Sequence, residues 1–287
     1  SDGDELHGNG EIDKLIITPT SKTFYAGDFE QFTLELRTKE GLLYNDEVDI
    51  NEIKVKLNVT EKSFKYEINT TGILGNYTIS IYCEKKGRYQ FNAQLNDKTS
   101  NDAYFRVKPQ LLPYTPYTQI ISQPPEEITP EDKIEIVFKL ADKFNNTFED
   151  RDDIIDNDYL IVTNNNQSVP AAEKELLDDG ETFKVKLDPI YPPLDMSINT
   201  IYNDGEHTIP CFLEDIVVKI ITPLDVNSTV VKSENAISIY VGEILDMRLY
   251  TLDAFGLCKE EEDYSKKFKV IVNGPLDTEF DKEKIYK

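Results

Sequence analysis

The sequence predicts an all-β fold of tandem β-sandwich domains, and three observations carry that expectation. Apolar and polar residues alternate over short stretches, the period that puts one face of a strand on a core and the other in water. One strand-and-turn pattern recurs three times at roughly the hundred-residue spacing of a sandwich domain. Helical periodicity is almost missing.

Residues 1–11 are rich in Gly, Asp and Glu without apolar periodicity, which reads as a disordered acidic tail, with order expected to begin near Ile12. The first domain is read over residues 12–108. After a strand at 15–18, Phe32, Leu34 and Leu36 alternate with Thr33, Glu35 and Arg37, and Ile53, Val55, Leu57 and Val59 alternate with Lys54, Lys56 and Asn58. Phe64, Tyr66 and Ile68 continue the pattern. Tyr77, Ile79, Ile81 and Cys83 follow, then Tyr89, Phe91, Ala93 and Leu95, then Tyr104 and Phe105 up to Val107. Strands in this number and order close one sandwich.

Residues 109–116 form a Pro-rich linker with Pro109, Pro113 and Pro116; Pro124, Pro125 and Pro130 follow, each limiting the backbone to extended conformations. The second domain spans 117–221, with 117–122 as its first strand. Within it, 171–177 is a short run of good helix formers and is expected to make a helical turn or two. Residues 222–287 read as an incomplete third domain with strands up to about Phe280. Val270, Val272, Met247 and Leu249 are then expected to need cover from the rest of the natural chain or from another protein.

The repeat is explicit in the residues. Tyr25-Ala26-Gly27-Asp28 precedes Phe32, Leu34 and Leu36; Thr129-Pro130-Glu131-Asp132 precedes Ile136, Phe138 and Leu140; Tyr240-Val241-Gly242-Glu243 precedes Met247, Leu249 and Thr251. The second and third copies then turn at Asp142-Lys143-Phe144-Asn145 and Asp253-Ala254-Phe255-Gly256.

Further motifs give the domains a resemblance. Gly75-Asn76-Tyr77-Thr78-Ile79 with Gly87-Arg88-Tyr89-Gln90-Phe91, the run from Asp179-Gly180 to Val185, the hairpin from Tyr202 to Ile209-Pro210, and Val270-Ile271-Val272-Asn273-Gly274-Pro275 are similar to strands of the filamin-type immunoglobulin-like repeat. The second domain departs from that pattern, offering Met196, Ile198 and Ile201 in its next-to-last strand, and the third lacks the closing Gly-x-Tyr pair. The resemblance implies immunoglobulin-like sandwiches that bind protein partners, a partner strand adding in a groove between the third and fourth strands. In the first domain that groove involves Ile53, Val55, Leu57, Phe64 and Tyr66.

A net charge of −23, from 31 Lys and Arg against 54 Asp and Glu, disfavours nucleic acid and anionic membrane surfaces as partners, and a protein partner is expected instead. His7 lies in the tail and His207 in a hairpin, so no Ser-His-Asp or Cys-His constellation assembles, and no phosphate-loop or dinucleotide motif points to a cofactor. The acidic run Glu149, Asp150, Asp152, Asp153, Asp156 and Asp158 lacks the spacing and central glycine of a calcium loop and reads as a solvated loop. Cys83 is in phase with the core residues of its strand; Cys211 and Cys258 fall in different domains and would pair only if those domains touch.

Glycosylation acceptors occur at Asn58, Asn69, Asn76, Asn145, Asn166 and Asn227. They favour an extracellular or cell-surface location, with a cytoplasmic, cytoskeletal location as the alternative. The two functional readings divide in the same way. One is a non-enzymatic adhesion or recognition ectodomain, similar to gamete-surface adhesion proteins that carry filamin-type repeats. The other is an intracellular cytoskeletal or ciliary scaffold whose repeats bind partner β-strands. Asn58 lies on the outward phase of the third strand, so a glycan there is expected to obstruct an incoming strand.

Overall fold

The computed structural model describes residues 7–190, 195–222, 224, 230–233, 247–253, 256 and 258. The first sandwich uses β1 (His7–Gly8), β2 (Lys14–Thr18), β3 (Ser21–Tyr25), β4 (Phe29–Arg37), β5 (Leu43–Tyr44), β6 (Lys54–Leu57), β7 (Lys65–Thr70), β8 (Asn76–Tyr82), β9 (Gly87–Leu95), β10 (Lys98–Thr99) and β11 (Ala103–Lys108). One sheet runs β1-β5-β4-β8-β7 with β2 on β4; the other runs β10-β9-β11-β3 with β6 on β9. This is the immunoglobulin-like arrangement, the first strand being split so that β2 joins one sheet and β3 pairs in parallel with β11 in the other.

The alternation read from the sequence is the alternation of burial. Phe32, Leu34 and Leu36 on β4 and Tyr77, Ile79 and Ile81 on β8 all point into the core, together with Cys83 just beyond. Between the sheets, Phe32 meets Phe91 edge to face at 4.9 Å, and Phe64, just ahead of β7, lies parallel to Phe105 at 6.1 Å; within its own sheet Phe105 also stacks on Phe24 at 5.4 Å and on Tyr89 at 5.0 Å. Such aromatics bury large areas and lock the two sheets in one relative position.

The second sandwich repeats the plan with β12 (Gln119–Ser122), β13 (Glu127–Ile128), β14 (Ile134–Lys139), β15 (Leu160–Asn164), β16 (Gln167–Ser168), β17 (Glu173–Leu176), β18 (Thr182–Leu187), β19 (Asp195–Asn203), β20 (Thr208–Pro210) and β21 (Ile216–Ile220). Its sheets are β12-β14-β18-β17 and β13-β21-β19-β15-β16, with β20 on β19. Beyond it, β22 (Val230–Ser233) pairs antiparallel with β23 (Met247–Tyr250). Leu249 is exposed, whereas Val270 and Val272 lie outside the described residues.

Three expectations need correction. Pairing begins ahead of Ile12, because His7 and Gly8 run parallel to Leu43 and Tyr44. A Cβ on Gly8 would stand 3.1 Å from Leu42 Cβ, so the missing side chain admits this close approach. Residues 171–177 hold strand β17 instead of a helix: pairing with β18 overrides local propensity, and Glu175 meets Lys184 across the pair at 2.6 Å. The described α-helix, α1 (Asp152–Asp156), falls in the acidic run. On β19 the inward phase is Met196, Ile198 and Tyr202, with Ile201 half-buried.

Cys83, Cys211 and Cys258 are all free, the first two buried and the third exposed. Burial pushes the Cys211 thiol up to about 12, so it carries almost no thiolate at neutral pH. Brief alkylation of the native protein is therefore expected to label Cys258 and spare Cys211, which mass mapping checks; labelling of both at equal rates would contradict the burial.

In the turn before β18, the Thr182 hydroxyl and the N–H groups of Glu181 and Thr182 hold Asp179 at about 2. Because the folded value is depressed, this stabilisation is present above the ordinary carboxylate range near ~3.9 and is lost as pH falls through about 2. Asp179→Ala should flatten the acid limb of the stability profile in that window, as acid titration of folding would show.

Candidate functional site: an open strand edge and the joint beside it

Two strands of the first sandwich, β6 and β7, stand at the same side of the molecule as the free edges of opposite sheets. Among the described residues, strand β6 pairs with β9 alone and β7 with β8 alone. The phase of the β6 ladder decides which backbone groups are free. Asn58 N donates to Gln90 O, and Ala93 exchanges hydrogen bonds with Ser100 on its other side. By the alternation of antiparallel pairs, Lys54, Lys56 and Asn58 bond to β9, while the N–H and C=O groups of Val55 and Leu57 point outward.

The side chains read as lining a groove occupy graded positions here. Ile53 and Val55 are buried, while Leu57, Phe64 and Tyr66 are half-buried and pack against the core. Phe64 lies parallel to Phe105 at 6.1 Å and tilts towards Tyr66 at 6.2 Å. The rim where the sheets part is thus apolar, and Lys54, Lys56 and Lys65 are exposed around it. Lysines on an edge also discourage indiscriminate pairing.

The second sandwich closes the same edge. After β15 the chain reverses through Asn165 and Asn166, with φ of 50° and 63°, and β16 returns along the outer side of β15. Val169 N donates to Val162 O at 2.8 Å, extending that cover. Two consecutive asparagines with left-handed φ between extended residues signal such a hairpin; that signal stands in the sequence but is absorbed there into a glycosylation acceptor.

Between the sandwiches the chain builds a joint. Asp142 is fully buried: its Oδ1 accepts from Phe144 N and Asn146 N, both at 2.9 Å, and its Oδ2 from Gln110 N at 2.8 Å and Asn146 Nδ2 at 3.1 Å. Asn146, also buried, accepts from Lys86 N at 2.9 Å and donates to Glu84 O at 2.7 Å in the first sandwich. Phe144 packs against the first core, and Gln110 Nε2 donates to Ala26 O. The stretch 109–116 is thus bonded into both sandwiches.

The acidic run is mostly exposed, and three of its six carboxylates are paired. Glu149 faces Lys86 at 3.9 Å and Arg106 at 3.8 Å, Asp153 pairs with Arg151 at 2.8 Å, and Asp158 pairs with Lys174. The Arg151 guanidinium holds Asp153 below the usual carboxylate range. Among the described residues no cluster of three or more His, Cys, Asp or Glu is placed to hold a metal ion, and no helix is long and apolar enough to cross a membrane. His207 sits in its hairpin turn, with its ring Nδ1 3.2 Å from Asp204 Oδ2.

Of the glycosylation acceptors, Asn58, Asn69, Asn145 and Asn166 are exposed and Asn76 is half-buried; Asn227 lies outside the described residues. Asn58 differs from expectation in its aim. Its Oδ1 accepts from Gln90 N at 3.1 Å, which turns the carboxamide towards β9 and away from the free edge of β6. A glycan on its Nδ2 would extend over the sheet face beside Ser21, Thr23 and Arg106, which share an open hollow of about 550 Å³ with it. Strand phase alone does not reveal this aim, because the carboxamide completes the last rung of the ladder.

No known family profile matches the chain, and no curated protein matches it in sequence. Among solved structures, FdeC, a broadly conserved Escherichia coli adhesin, superposes with a TM-score of 0.53 at 13% identity, over 86% of this chain and 76% of that one. The chain is a tandem immunoglobulin-like array. InvD of Yersinia pseudotuberculosis gives a TM-score of 0.45 at 14% identity over 85% of this chain and 70% of the other. Invasin, a bacterial integrin-binding protein, gives 0.47 at 13% over 74%, and this chain spans only 40% of its length. At such identities the likeness is one of fold. That fold is broader than the filamin-type repeat whose motifs the sequence resembles.

Proposed function

We propose that this chain is a non-enzymatic recognition segment of an adhesion protein at a cell surface, which binds a protein partner through the open β6 edge of its first sandwich. The observation that supports this most is the contrast between the two sandwiches. The same strand position is covered by β16 in the second and uncovered in the first, with the N–H and C=O groups of Val55 and Leu57 free. An added strand takes main-chain hydrogen bonds from such an edge and draws specificity from adjacent pockets, here the rim of Leu57, Phe64 and Tyr66. A similar fold in an adhesin and five exposed or half-exposed acceptor asparagines support the surface location.

A photo-crosslinking residue at Lys56, carried by the full chain in its native cells, is expected to capture one discrete protein. The same residue at Gln167, on the covering β16 hairpin, should not capture it. Equal capture at both positions, or none at Lys56, would overturn the edge assignment. The free edge equally suits an intracellular scaffold that accepts partner strands, and peptide mapping of protein from its native source separates the two locations. Glycans at one or more of Asn58, Asn69, Asn76, Asn145, Asn166 and Asn227 are expected; six bare asparagines would favour the scaffold.

A further inference from the structure

The joint between the sandwiches has the construction of a specific interface. Its centre is Gly27, whose φ of +81° suits glycine and whose amide donates to Cys83 O. A Cβ built there would meet Phe144 Cε2 at 2.7 Å and Cζ at 2.8 Å, so the ring occupies the space that the missing side chain leaves. Around that contact, Gln110, Glu84 and Lys86 bond to the buried pair Asp142 and Asn146. The ion pairs at the rim, Lys86 with Glu149 at 3.9 Å and with Glu181 at 3.6 Å, are loose and partly exposed and add little.

We infer that Ala26, Gly27, Glu84 and Lys86 of the first sandwich, with Gln110 of the linker, form a socket for the Asp142-Lys143-Phe144-Asn145-Asn146 loop of the second, and that the loop stays seated in solution, fixing the two sandwiches relative to each other. The partner is defined by its chemistry: a buried carboxylate facing the linker amide, a ring against a glycine, and a carboxamide bridging two backbone groups. The following joint keeps a buried carboxylate but meets it with a side-chain hydroxyl, Thr222 Oγ1 donating to Asp253 Oδ2 at 2.8 Å. It does not repeat the glycine. Asp28 N donates to Tyr25 O and Asp132 N to Thr129 O in the same turn, which puts Glu131 where the first sandwich has Gly27. The socket is therefore a property of the first pair.

Two glycines make the test clean. Gly41 has φ of +83°, close to that of Gly27, but a Cβ there meets nothing within 4 Å. Gly41→Ala thus carries the backbone strain without the collision. Hydrogen exchange of the full chain should show the Lys86 and Gln110 amides protected in the wild type and in Gly41→Ala. In Gly27→Ala they should exchange at least about tenfold faster, while amides of β4 and β8 keep their wild-type ranking. Phe144→Ala, which leaves the first sandwich's own residues intact, should give the same loss at Lys86 and Gln110, and the protection in the wild type should survive high salt. The inference fails if those two amides are unprotected in the wild type, if Phe144→Ala leaves them protected, or if Gly41→Ala exposes them as much as Gly27→Ala does.

Discussion

Phe105→Ala is expected to cost the first sandwich about 3–5 kcal/mol, the range for deleting a buried aromatic ring whose surroundings relax only in part. Phe105 is 2% exposed and is the hub of the interior: it stacks on Phe24 and Tyr89 and lies 5.9 Å from Phe91 and 6.1 Å from Phe64. Those neighbours come from β3, β9 and the residue just ahead of β7, so no single strand can shift to fill the space. Urea unfolding read by tyrosine fluorescence, with no tryptophan in the chain to mask it, should show the midpoint fall by more than about 1 M at a typical slope of about 1–3 kcal/mol/M. A loss under about 1 kcal/mol would mean that the interior is held by something other than the contacts of this ring.

Asp142→Ala should be almost as damaging, although it removes a charged residue from a strongly acidic protein. It takes the acceptor away from four donors at once, Phe144 N, Asn146 N, Gln110 N and Asn146 Nδ2, in a site with no water-facing surface. Leaving buried donors unpaired costs about 1–3 kcal/mol each, and relaxation of the loop returns part of that, so a net loss of about 3 kcal/mol is expected. Asp142→Asn tests the cause. It preserves shape and one acceptor but turns an NH₂ group towards donors that need an oxygen, so it should retain at least half of the loss. Full rescue by asparagine would show that shape alone matters at the joint.

Much of the fold is legible in the sequence because period-two burial is a local property. Phe32, Leu34 and Leu36, or Ile79, Ile81 and Cys83, announce their face without knowledge of any partner. Where the decision belongs to a partner, local reading fails. The helix formers of 171–177 become β17 because β18 offers a ladder, although Glu173 and Glu175 alternating with Lys174 and Leu176 already hint at a strand. The joint is harder still. The Asp-x-Phe repeat is visible as a turn, but its socket draws on residues near 26, 85 and 110, and nothing local joins those positions. At the candidate edge, the sequence places β6 and β7 but not the hairpin that covers the second sandwich. Uncovered and covered edges differ here by a two-residue strand after Asn165-Asn166.

The most direct measurement is residue-resolved amide exchange on the monomeric chain, comparing Val55 and Leu57 on β6 with Val162 and Asn164, their counterparts facing β16 on β15. If the first sandwich offers an open edge, the Val55 and Leu57 amides exchange close to the rate of an unstructured peptide, while Val162 and Asn164 are slowed by at least about tenfold. Val55 and Leu57 protected as strongly as Val162 in the free monomer would contradict the account, because the edge would then be occupied before any partner arrives.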